Sequence, residues 1–132
     1  MVQAVANTAP TQYDLKSLPG GYVKLKKLPY GMMLTRRAMV SKMTFEGDRK
    51  SKGMKGAMDL AAKEVTYFEF ANAIVEHNLE DGDRLLNLAN PADIEKLDPQ
   101  AGQEIGTLID KMNNLEEEEE DLGNSSSGSE QQ

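Results

Sequence analysis

Chemistry near neutral pH would look first to His77, the sole histidine of this sequence. A general base needs a nucleophile and an orienting acid, and neither stands beside it. Ser41 falls on a predicted helix, with no nucleophile-elbow or serine-lysine pattern around it. His77 therefore reads as a surface residue near the C-terminus of a helix, where a cation is favoured. Glu64, Glu69 and Glu76 recur irregularly along one helix flank and read as a solvated face, because nothing sets one apart as acid and another as base. Glu80, Asp81 and Asp83 around Gly82 have the density of a calcium loop but not its order: the pattern breaks at Arg84 and no bidentate glutamate follows at the required place. Gly47, Gly53 and Gly56 follow no predicted strand and precede no Gly-Lys-Ser/Thr, so they form no phosphate loop. With no cysteine, thiol nucleophiles, thiolate zinc sites and disulfides are excluded. The expectation is a chain without catalytic, cofactor or metal residues.

Binding is the remaining chemistry. Arg36, Arg37 and Lys42, with Arg49, Lys50, Lys52 and Lys55, make a basic region that suits phosphates or a protein partner. A sequence pI of about 4.7 and the lack of aromatics interleaved with these cations argue against nucleic acid. Met32, Met33, Met39, Met43, Met54 and Met58 all fall within residues 32–58. Unbranched, polarizable side chains repack easily, so this cluster suits a surface that accepts apolar helices of differing shape. Methionines at helical spacing also serve as core filler; Met32, Met33 and Met54 are the ones expected on the outside.

Several local signals predict the elements that position these residues. Alternation in Tyr22 to Lys26 predicts a half-buried strand with its lysines facing water. Met32 to Met43 carries Leu34, Ala38 and Met39 on one side and predicts a helix. The stretch Glu46 to Gly56 reads as an exposed loop. Ala57 to His77 reads as the central core helix, with Met58, Ala61, Val65, Phe68, Ala71, Ile74 and Val75 on its buried stripe. Asp81-Gly82 predicts a tight hairpin, since glycine readily takes positive φ. Asn90-Pro91 and Asp98-Pro99 predict two helix starts, the second helix burying Ile105, Leu108, Ile109, Met112 and Leu115.

These elements amount to one mainly α domain of about four helices with a short strand and hairpin, spanning residues 13–115. A flexible leader at 1–12 precedes it and a disordered acidic and serine-rich tail at 116–132 follows. The tail opens with Glu116, Glu117, Glu118, Glu119, Glu120 and Asp121. Residues 1–63 hold 12 Lys/Arg and 4 Asp/Glu, against 3 and 18 in residues 64–132, so the halves carry +8 and −15. Such a dipole permits head-to-tail self-association, or an acidic end held over the chain's own basic surface; it equally describes a solvated face with an acidic tail. No signal-like or membrane-spanning run occurs, so cytoplasmic residence is expected.

Three stretches in order, LPYG with LTRRAMVSKM (Leu28 to Met43), EVTYFEFANAIVEHNLEDG (Glu64 to Gly82) and NPADIEKLDPQAGQEIGTLIDKMN (Asn90 to Asn113), then an acidic run, resemble the tail assembly chaperones of long-tailed bacteriophages. The resemblance implies copies that coat the apolar, helical tape measure protein in the host cytoplasm until tail tube protein displaces them, and absence from the finished virion. It also implies a longer, frameshifted form of the chain; the tail lacks the Lys-Lys or Gly-Lys pair that a common slippery site often encodes. Two other readings stand beside it: a tail completion or head-tail joining protein retained in the virion, and a small nucleic-acid-binding regulator.

Overall fold

The computed structural model of the chain describes residues 1–49 and 54–115, with side chains at 1–42 and 62–115. In chain order the elements are β1 (Thr11–Asp14), β2 (Tyr22–Leu25), α1 (Tyr30–Arg49), α2 (Met54–Ala73), β3 (Ile74–His77), β4 (Glu80–Asp81), β5 (Arg84–Leu85), α3 (Pro91–Ile94) and α4 (Pro99–Met112). The result is a small mixed α/β domain. It is less purely helical than the sequence suggests, because residues 11–14 form β1, for which the sequence carries no strand signal, and the predicted central helix stops four residues early to supply β3. The first strand also takes Thr11 and Gln12 from the segment read as leader.

β2 is the middle strand of an antiparallel sheet ordered β1-β2-β3. Alternation puts Val23 and Leu25, both fully buried, on the core face and Tyr22 and Lys24 on the other. α2 runs into β3 without a loop: the Ala73 carbonyl accepts from Lys26 N–H at 2.9 Å, and the next residues pair with β2. Ile74 and Val75 are β-branched and lose less in a strand than in a helix, so the pairing outweighs the helical periodicity that had included them. A register shift lets Ile74 oppose Leu25 while Glu76 opposes Lys24 and His77 opposes Val23. The extra residue, Val75, is half exposed at 50%.

The hairpin and the two helix starts are realised. β4 and β5 form a hairpin around Gly82, whose φ of +66° suits glycine. The Asn90 side chain accepts from Ala92 N–H, and Asp98 accepts from Gln100 and Ala101 N–H, capping α3 and α4 ahead of their prolines. On α4, Ile105 and Ile109 are fully buried, as is Leu115 beyond its end, while Leu108 and Met112 pack against the edge of the core.

Two carboxylates fasten the irregular segments. Glu104 on α4 accepts from the backbone N–H groups of Lys16 and Ser17, at 2.8 and 2.9 Å, and from the Ser17 hydroxyl at 2.6 Å. Asp93, only 4% exposed, accepts both Arg84 guanidinium nitrogens, at 2.8 and 3.0 Å, and Asn87 N–H at 2.8 Å. The Arg84 bonds, then the Asn87 amide, hold the Asp93 carboxyl well below the usual carboxylate range. A depressed native pKa gives stability that is fully present above the unfolded-state pKa and lost as pH falls through the native one. Asp93→Asn should lower the urea midpoint at neutral pH, with the gap to the parent closing on acidification; a gap of constant size would contradict this role.

Candidate functional site

α1 carries most of the residues expected to meet a partner, and its start is set by Pro29, whose carbonyl accepts from Met32 and Met33 N–H at 2.9 and 3.1 Å. Its inward face consists of Met32, Met33, Arg36, Met39 and Val40, at spacings of three and four. Its outward face carries Tyr30, Leu34, Arg37 and Ala38, with Tyr30 71% and Leu34 44% exposed. The sequence groups Leu34, Ala38 and Met39 on one side of this helix; the structure separates them, with Met39 inward and Leu34 and Ala38 outward.

The physical reason is an ion pair. Arg36 Nε donates to Glu69 Oε2 on α2 at 2.5 Å, and the two residues are only 4% and 5% exposed. Turning Arg36 inward puts Leu34 and Ala38 outside, since residues two apart on a helix point in widely different directions. Arg36 is thus not presented to a partner as expected, and Glu69 does not belong to a solvated face. Glu64 is exposed, while Glu76 lies on β3, accepting from the Tyr22 hydroxyl at 2.5 Å and pairing with Lys24 at 3.5 Å. Among the described side chains of α2 the buried positions are Val65, Glu69, Phe70 and Ala73, whereas Phe68 is half-buried and Ala71 exposed; the side chains of Met58 and Ala61 lie outside the described residues.

Beside the ion pair lies a cavity of about 280 Å³, with Arg36, Glu69 and Asp110 as its charged wall and Val40, Val65 and Ala62 as its apolar one. Thr66 and Ala62 also border a second, shallower space of about 410 Å³ beside Tyr67, whose hydroxyl donates to Glu95. The charges of the first space are engaged by other groups, and its apolar walls are small side chains.

The other expected site residues are dispersed. Met32 and Met33 pack against the core rather than standing outside it, and Met39 is half-buried. Arg37 is exposed. Arg49 ends α1, while Met54 and Lys55 begin α2; their side chains, like that of Met43, lie outside the described residues. Helix thus occupies both ends of the segment read as an exposed loop. Lys50 and Lys52 lie outside the described residues, as do Glu116, Glu117, Glu118, Glu119, Glu120 and Asp121. His77 is neither at a helix end nor fully exposed: it closes β3 and accepts from Leu79 N–H through Nδ1 at 3.0 Å. Among the described residues no group of three His, Asp or Glu is arranged to hold a metal ion, and no helix is long and apolar enough to cross a membrane.

The Arg36–Glu69 contact joins residues 33 positions apart, and no local pattern announces it. Removing one member of a buried pair takes from the other its opposite charge at 2.5 Å, so Arg36→Met should cost about 3–5 kcal/mol. Joined with Glu69→Met, the loss should shrink below that of Arg36→Met alone. Urea unfolding of Arg36→Met, Glu69→Met and the double variant measures this, and a double variant as unstable as the sum of its singles would refute the coupling. No protein-family model, curated protein or solved structure matches the chain.

Proposed function

We propose that this chain is a tail assembly chaperone of a long-tailed phage, which binds and solubilises the tape measure protein and helps to recruit tail tube subunits. The observation that carries the reading is the outward face of α1. Tyr30, Leu34 and Ala38 recur every four residues and stand in solvent, inside the stretch Leu28 to Met43 where the resemblance begins. An exposed apolar stripe flanked by Arg37 offers a seat to the apolar side of a partner helix. The helices are the working part of this otherwise mixed fold, a mainly α body for which the sheet is a support. Met39 and the half-buried Met32 and Met33 behind the stripe give it room to repack.

The other stretches of the resemblance, Glu64 to Gly82 and Asn90 to Asn113, span the later part of α2, β3 and β4, and then α3 and α4. Each copy binds weakly, and an array along one long helical protein binds strongly by multivalency. The acidic run Glu116 to Asp121 keeps the coated complex soluble or draws in tube subunits by charge. In this reading the chain works in the host cytoplasm, self-associates along its cargo, coexists with a frameshifted longer form and leaves before the virion is complete.

Co-expression with the tape measure protein tests it. The parent chain should hold that protein in the soluble fraction and co-purify with it. Leu34→Asp, at an exposed position where the fold should tolerate it within about 0.5 kcal/mol, should return the cargo to the pellet. An equally effective Leu34→Asp variant would remove α1 from the interface; a parent that neither binds nor solubilises the cargo would refute the function.

A further inference from the structure

We propose that His77 is a proton-operated latch for the hairpin Glu80–Leu85: the neutral imidazole holds the base of the hairpin to the sheet, and the imidazolium releases it. The geometry requires the neutral form. Leu79 N–H donates to His77 Nδ1 at 3.0 Å, so that nitrogen must present a lone pair. Protonation puts an N–H there, facing another N–H, and leaves the Leu79 amide without its acceptor. Leu79 is also the closing residue of the hairpin, since Leu86 N–H donates to its carbonyl at 2.9 Å. One residue earlier the chain is fixed: Asn78 accepts from Tyr22 N–H at 2.8 Å and donates to the Gly20 carbonyl at 2.9 Å. Movement on protonation therefore begins at Leu79. The far side stays tied by Arg84 to Asp93, so the opening is local.

The ring has somewhere to go. A cavity of about 150 Å³ adjoins it, walled by Phe70, Ile74, Val75, Leu86 and Leu88, and among the described residues His77 is the only titratable side chain in that wall. On the packed elements, Tyr22 and Lys24 of β2 engage Glu76 on the opposite sheet face. Glu80 and Asp81 of β4 are exposed, with Asp81 near Arg84 and Lys96; Arg84 is held by Asp93. No carboxylate is hydrogen-bonded to the ring among the described residues. Burial pushes the imidazole below its ordinary value, countered by a hydrogen bond to the Leu86 backbone. With the native pKa depressed, the stabilisation is complete above the unfolded-state pKa and is lost as pH falls through the native one.

Amide hydrogen exchange on the full chain, followed by NMR together with the ring nitrogens of His77, tests the latch. From about pH 7.5 down to about one unit below the observed ring midpoint, protection at Leu79 and Leu86, corrected for intrinsic exchange, should fall at least about tenfold relative to Ile105 and Ile109. The midpoint of that fall should coincide with the ring titration. His77→Asn keeps an acceptor near the position of Nδ1 and cannot titrate in this range, so its protection should not change with pH. Noncoincident midpoints in the parent, no selective fall as the ring titrates, or the same fall in His77→Asn would each overturn the proposal.

Discussion

Burying a guanidinium and a carboxylate is costly unless each finds the other, and the Arg36–Glu69 contact meets that condition with both residues almost wholly out of water. Much of the rest of the structure depends on it. α1 has no strong apolar stripe to decide which side faces α2, so hydrophobic burial alone leaves its rotation poorly determined. A buried ion pair supplies the missing specificity, because every other rotation of α1 strands a charge. The consequence for recognition is indirect but large. The apolar residues that α1 displays are outside because a charged one is inside.

The sheet side of the domain solves a different problem. Its strands are two to four residues long, too short to stand alone, and they are held by groups off the ladder. Glu104 gathers the turn after β1, Asp93 gathers the hairpin and the segment after it, and Asn78 bonds the β1–β2 turn and the start of β2. These side chains take the place of longer strands. The register shift at Val75 belongs to the same economy: it lets Ile74 and His77, three residues apart, both face β2's core-side residues, so a helix can pass into a strand with no linker.

Much of this was legible in the chain. The β2 alternation, the Asp-Gly hairpin and the two proline-led caps rest on contacts within a few residues, and each was readable for that reason. The inner face of α4 was equally plain, because Ile105 and Ile109 keep strict helical spacing. What escaped notice depends on distant partners. β1 has little hydrophobic signature, with three of its four residues exposed, and exists because β2 pairs with it. Periodicity favoured Phe68 and Ala71 over Phe70 and Ala73, since the apolar residues of α2 occupy more than one face and only packing selects among them. Glu69 and Arg36 looked like surface charges; sequence spacing does not report that two such residues, far apart, will meet.

The account stands on the rotation of α1, and the natural absence of cysteine makes that rotation directly measurable. Single cysteines at Leu34, Ala38, Met33 and Val40 can be compared by their rates of reaction with a maleimide in the folded chain. Cysteines at 34 and 38 should react faster, and those at 33 and 40 several-fold more slowly, because the latter positions are partly covered by the packing of α1. The opposite order, with 34 and 38 protected and 33 and 40 freely reactive, would mean that the apolar stripe is buried and Arg36 is not held inside. The surface assigned to partner binding would then not exist.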